Sequence, residues 1–228
     1  MGNGESRLSI NYDSVKTHTT YGCNAIYRDF TPSALTAIDE WMYYEILQSN
    51  YSISNQCYFR NFNLLPAEMV SYIKESIPHN ATIYENYCTN YMFAYFGREL
   101  DKNFQPNPQH YIIWINKENK IININDLIES PIGDSGLCSI ELCIKVEKPD
   151  SIYLLGFDLS NNKGKVNNVY KNTENYAKSI APPVDSSNWI RDLNGIFDKY
   201  KHIQFFHVQD RKILDIDTIT VKDFINIL

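Results

Sequence analysis

The stretch Ile152-Tyr153-Leu154-Leu155-Gly156-Phe157-Asp158 decides the fold class. Four apolar residues in a row, closed by a glycine, read as a strand buried on both faces. Asp158 stands just beyond the carboxyl end of that strand. Immediately upstream, Ser139–Lys148 is apolar at Ile140, Leu142, Cys143, Ile144 and Val146 and reads as a helix that Pro149 and Asp150 terminate. Downstream, Trp189–Tyr200 sets Trp189, Ile190, Leu193, Ile196 and Phe197 at helical spacing. Ile203–Val208 reads as another strand, and Val221–Leu228 as a closing helix. Short apolar strands alternating with helices predict a parallel sheet in an α/β protein.

The N-terminal half extends the pattern. Arg7–Ser14 reads as a turn and a short capped element, Leu35–Ile38 as a buried strand and Trp41–Ser49 as a one-faced helix. Gln56–Asn61 and Ile112–Ile115 read as strands, Pro66–Ile77 as a helix, and Gln105–Pro108 and Asn161–Lys165 as turns. The expected architecture is a single domain, residues 1–228, built on a Rossmann-like three-layer parallel sheet. Residues 51–125 form an aromatic-rich insertion or acceptor-side subdomain. Gly2-Asn3-Gly4 is a glycine-rich turn with only Met1 before it, so the strand that normally leads into such a turn is missing or replaced.

Composition narrows the partners. A net charge of −6 with no dense Lys/Arg block makes a nucleic-acid partner unfavourable. The five cysteines, Cys23, Cys57, Cys88, Cys138 and Cys143, form no CxxC pair and read as small buried hydrophobes of a reducing, cytoplasmic compartment. No apolar run reaches the roughly 18 residues of a membrane span. HExxH, GxSxG and GxxxxGK[ST] motifs are all absent, against zincin, α/β-hydrolase and P-loop chemistry.

Two glycine-rich turns beside α/β elements, Gly2-Asn3-Gly4-Glu5-Ser6-Arg7 and Gly133-Asp134-Ser135-Gly136, mark the places where backbone N–H groups meet an anionic ligand. Gly2 and Gly4 permit close backbone approach. The Asn3 amide offers donor and acceptor together. Arg7 and Arg28 supply planar forks suited to phosphate. Asp158 and Asp39, both after strands, are candidates for sugar-hydroxyl recognition, acid–base work or a metal. The loop Asn167-Asn168-Val169-Tyr170 through Tyr176 is placed to cover a nucleotide, and Tyr170 and Tyr176 are candidates for phosphate or sugar contact. His207, at the end of an apolar strand, is the best-placed histidine for a general base, next to Asp158 as a catalytic carboxylate.

The ordered set Gly2-Asn3-Gly4-Glu5-Ser6, Gly22-Cys23-Asn24, Asp134-Ser135-Gly136 and Ile152-Tyr153-Leu154-Leu155-Gly156-Phe157-Asp158 resembles bacterial lipooligosaccharide sialyltransferases. It also looks like the related domain of flagellin-modifying motility accessory factors and archaeal 6-hydroxymethylpterin pyrophosphokinase. A phage-encoded member of such a group is one expectation. The resemblance covers about residues 2–30 and 130–160 with the final strand and helix. It implies that Asn3 and Asn24 face the ribose or phosphates, and that Ser135 and Gly136 contact base or sugar, with Ser6 in the same turn. Two departures stand out. The histidine base those enzymes carry before their last βα helix has no counterpart in Val184-Asp185-Ser186-Ser187-Asn188, and the tyrosines lie further from the strand's Asp.

The function expected from residues and resemblance together is a glycosyltransferase using a nucleotide-sugar donor, with a pyrimidine nucleotide favoured, a glycan as acceptor and no metal required. The alternatives are a Mg²⁺-dependent pyrophosphokinase-like phosphotransferase, with Asp39 and Asp158 as metal holders, and a nucleotide-binding protein without catalysis.

Overall fold

The computed structural model describes residues 1–60, 64–65, 81–87, 108–114, 121–128, 133–160 and 164–228. A short helix α1 (Tyr12–Val15), whose first turn is capped by the Asn11 side chain, leads into strand β1 (Tyr21–Cys23). Strand β2 (Ala34–Ala37) follows, then helices α2 (Glu40–Gln48) and α3 (Tyr51–Ser54) and strand β3 (Cys57–Phe59). The chain next forms a small antiparallel sheet from β4 (Leu64–Leu65), β5 (Ala81–Tyr87) and β6 (Pro108–Trp114), with β6 in the middle. It returns as β7 (Ile121–Asn123) beside β3, so β1-β2-β3-β7 is one all-parallel sheet. The expected strand at Gln56–Asn61 is β3 and lies in this main sheet, so residues 51–59 belong to it rather than to the intervening segment. The expected helix Pro66–Ile77 lies outside the described residues.

Helix α4 (Ser135–Glu147) starts four residues earlier than its apolar pattern predicts. Asp134 is the reason: its Oδ1 accepts the N–H groups of Gly136 (2.8 Å) and Leu137 (3.1 Å), an N-cap that opens the helix at Ser135. Lys148, at φ 51°, closes it. Strand β8 (Ser151–Leu155), helix α5 (Ser187–Lys199), strand β9 (Gln204–Val208), strand β10 (Asp217–Ile219) and helix α6 (Val221–Ile227) complete the chain. β10-β9-β8 is a second all-parallel sheet. β10 has no apolar pattern, being exposed at Asp217 and half-buried beyond it, which is why its sequence does not announce a strand.

Period-two alternation assigns the faces of β8. Leu154 packs with Leu137, Ile140, Leu193 and Phe197 of α4 and α5. Leu155 points the other way, into a core with Met42 and Ile46 of α2 and Phe224 of α6. Helices therefore cover opposite faces of the parallel strands. Full burial of each such aliphatic side chain contributes roughly 1.5–3 kcal/mol.

Residues Met1–Gly4 bond to both parallel sheets. The Met1 nitrogen donates to Tyr21 O (2.6 Å) at the edge of one sheet. Gly2 N donates to Leu155 O and Gly4 N to Gly156 O (both 2.8 Å) at the edge of the other. This short extended segment thus lies between β1 and β8 and runs in their direction. On one side of it the strands follow in the order β1, β2, β3, β7. On the other they follow in the order β8, β9, β10. The chain crosses from one half to the other through α4.

Candidate functional site

At the carboxyl ends of the strands where the two halves meet lies a cavity of about 240 Å³. Its wall includes Gly2-Asn3-Gly4, Cys23-Asn24 at the end of β1, Asp134 with Gly136 and Leu137 at the start of α4, and Gly156 to Leu159 after β8. A second cavity of about 260 Å³, reaching Ser160, Pro183 and Ser186, adjoins it. Leu159, Asn167, Asn168, Tyr176 and Trp189 line both. Together they fall in the size range of small-molecule sites, roughly 300–1,000 Å³.

Glycine makes the junction possible. A Cβ on Gly2 would lie 2.5 Å from Gly156 O, and one on Gly156 would lie 2.8 Å from Gly2 O. Gly156 also has φ +71°, a backbone conformation that favours glycine. The N-terminal segment and the end of β8 approach backbone to backbone, and any side chain would part them. Asn24 follows β1 at φ 52°, a left-handed conformation that asparagine tolerates, and begins the 3₁₀ turn Asn24–Arg28.

The polar groups of the cleft divide into engaged and unengaged. Asp158 is buried and receives Ser6 N (3.0 Å) on one oxygen and the Ser6 hydroxyl on the other. Its carboxylate pins the turn that follows Gly4. The Tyr176 hydroxyl accepts Asn3 Nδ2 (3.1 Å) and Ala25 N (3.3 Å), and burial pushes its pKa up, so it stays protonated with its own O–H to donate. The Oδ1 atoms of Asn3 and Asn24 are buried and have no hydrogen-bond partner among the described residues. A buried amide oxygen without a partner costs about 1–3 kcal/mol, a cost that a ligand donor would remove. Burial raises the Asp134 pKa, against the lowering effect of the two N–H groups it caps.

Several expected site residues sit elsewhere. Arg7 has no exposed surface. It bonds the hydroxyls of Tyr12 and Tyr170 and pairs with Asp29 at 3.5 Å, so it is a core cation rather than a wall of the cleft. Arg28 binds Glu45 through Nε (2.7 Å) and Nη2 (2.6 Å), reaches Thr173, and lies over the rings of Tyr170 and Tyr176. Tyr170 is buried with its hydroxyl on Asp29 (2.6 Å). The Ser135 hydroxyl is buried and accepts Ile38 N (3.2 Å). Asp39 occupies the position before α2 and does not line the cleft. His207 is fully enclosed: Nε2 meets Phe157 O (2.7 Å), Nδ1 meets Gln209 Nε2 (3.1 Å), and burial lowers its pKa. Both ring nitrogens are occupied and no surface is left, so the general-base role expected of His207 has no geometric basis. Asp215-Ile216-Asp217 has the form of a DxD motif but lies at the start of β10, outside the cleft.

Gly2, Asn3, Gly4, Asn24, Gly136, Asp158 and Tyr176 are brought to one cavity from segments up to 174 positions apart in the chain. Asn167 and Asn168, read in the sequence as part of a covering loop, and Asp134, read as part of a glycine-rich turn, share it, together with Phe157, Leu159 and Trp189, to which the sequence assigned no site role. Asp134 had a readable signal, an Asp before Ser-Gly at a helix start. Trp189 had none, because at helical spacing it reads as core. Among the described residues no group of three or more His, Cys, Asp or Glu side chains could hold a metal, and no helix is long and apolar enough to cross a membrane.

No family model, no curated protein and no solved structure matches this chain.

Proposed function

We propose that the protein binds a nucleotide-sugar in this cleft and transfers its glycosyl group. In this reading the two sheets and the bridging segment Met1–Gly4 are one doubly wound, Rossmann-like layer. Such sheets take ligands beyond the carboxyl ends of the strands, at the point where strand order reverses. The observation that carries the reading is the pair of partnerless, buried oxygens on Asn3 and Asn24, which flank that point and call for donors such as ribose hydroxyls or a base amino group. The resemblance of the ordered motifs to those of the sialyltransferases points to the same placement. Tyr176 and Trp189 supply aromatic surface at the boundary with the second cavity, where the sugar would lie. The carboxylates of Asp134 and Asp158 are the cleft's candidates for contact with sugar hydroxyls or for proton transfer.

Calorimetric titration with CMP, UMP, UDP, GDP, ADP and ATP, with and without Mg²⁺, tests the proposal. Saturable, metal-independent binding of one pyrimidine nucleotide is the expected result. Binding of purine triphosphates only with Mg²⁺ would favour a phosphotransferase instead, and failure of every nucleotide to bind would end the reading.

A further inference from the structure

The nucleotide reading leaves the ligand's phosphate without a cationic partner. Among the described residues, no Lys, Arg or His lines either cavity. Arg7 is spent in the core and Arg28 on Glu45. Lys171, at the edge of the covering loop, is paired with Glu5. Arg211 donates to Ser160 Oγ (3.0 Å), which lines only the second cavity; the donors shared by both cavities are neutral, and two of them are adjacent in the chain.

We infer that Asn167 and Asn168 hold the phosphate through their side-chain NH₂ groups, in place of arginine or lysine; the inference rests on the nucleotide reading above. Asn167 Oδ1 accepts Glu5 N (2.9 Å) and Asn168 Oδ1 accepts Tyr170 N (2.8 Å). Each amide therefore has its oxygen fixed by a backbone N–H, which orients the rest of the group. Neither NH₂ has a hydrogen-bond partner among the described residues. Next in the chain, Val169 N donates to Asn3 O (2.8 Å) and fastens the loop to the central segment. Both residues line both cavities, as does Tyr176, whose hydroxyl stays protonated. The junction of the cavities is where a phosphate joining a nucleoside in one cavity to a sugar in the other must pass.

The charge of the cleft's two carboxylates is partly offset by the donors bonded to them. Asp158 is bonded on both oxygens by Ser6, and Asp134 is bonded by two N–H groups of α4. A site made of neutral donors also has a recognisable physical signature. Its hold on phosphate is short-ranged and little affected by ionic strength, whereas attraction to exposed cations is screened by salt.

The test measures Kd for a pyrimidine nucleoside and for its 5′-monophosphate, on the wild type and on Asn167→Asp and Asn168→Asp, at about 0.05 M and about 1 M salt. Aspartate keeps the oxygen that Glu5 N or Tyr170 N needs, and matching Tm values confirm that the variants fold. The wild type is expected to prefer the monophosphate at both salt concentrations. Each variant is expected to lose about ten-fold or more in monophosphate affinity, the loss of one charge-assisted hydrogen bond, and to bind the nucleoside as before. A loss persisting at high salt supports donation by the amides. A loss that vanishes at high salt is a through-space charge effect and overturns the inference, as does an equal loss for nucleoside and monophosphate. A wild type that binds nucleoside but gains nothing from the phosphate also overturns it while sparing the cleft. A wild type that binds neither overturns both.

Discussion

A Cβ placed on Gly4 would lie 2.4 Å from Cγ of Asp158 and 2.5 Å from its Oδ1. The carboxylate that follows β8 thus fills the space a side chain on the N-terminal turn would need. The absence of that side chain is what lets Ser6 reach both carboxylate oxygens. Gly4→Ala is expected to displace Asp158 and cost about 1–3 kcal/mol, the usual range for overpacking. Gly2→Ala should cost more, because the obstacle at 2.5 Å is the main-chain oxygen of Gly156 and cannot rotate away. Urea denaturation of the two variants checks the ranking; equal and negligible effects would show that the central segment does not dock as described.

Asp158→Asn leaves one oxygen to serve two donors, the Ser6 N–H and hydroxyl. A loss of about 1–3 kcal/mol is expected for the donor left unpaired. Ser6→Ala in the Asp158→Asn background should then cost less than Ser6→Ala in the wild type. Additive effects in this double-mutant cycle would mean that the two residues do not interact.

Arg7 is expected to matter for stability. Arg7→Met leaves the hydroxyls of Tyr12 and Tyr170 and the carboxylate of Asp29 without their shared donor. Removing one partner of a buried ionic cluster costs roughly 3–5 kcal/mol, and the partial exposure of Asp29 sets the lower end as the expectation. The midpoint of thermal unfolding reports it. A midpoint unchanged within error would return Arg7 to the list of ligand contacts.

His207 gives the protein a pH dependence whose sign is fixed by burial. Its pKa is lowered in the folded state, chiefly by desolvation, so the unfolded chain binds this proton more readily. Its contribution to stability is complete above the ordinary histidine pKa, about 6.5, and is lost as pH falls through that value toward the lowered one. Asp134, with its raised pKa, acts in the opposite sense at lower pH. The difference in unfolding free energy between wild type and His207→Gln isolates the histidine. That difference is expected to shrink from pH 7.5 to pH 5.5, and a difference independent of pH would contradict the enclosure of the ring.

What the sequence determined by itself is the set of elements with strong local signals. Ile152–Leu155, Leu35–Ile38, Ile203–Val208 and the helices around Trp41, Ile140, Leu193 and Phe224 all formed within a few residues of their apolar patterns. Burial of an apolar face is a local demand that periodicity displays directly. The glycines at 2 and 4 were legible as points of close approach and Gly156 as the end of a strand, but not that they approach one another or Asp158. Only the tertiary structure decided that Met1–Gly4 bridges two sheet edges, that Asp158 is occupied by Ser6, and that Arg7 and His207 belong to the core. It also decided that Asn167 and Asn168 share a cavity with Asn3. The physical reason is that a charged or amide side chain carries no periodic signature. Whether it meets a ligand or a neighbour depends on hydrogen-bond partners up to 173 positions away in the chain, which only packing brings within reach.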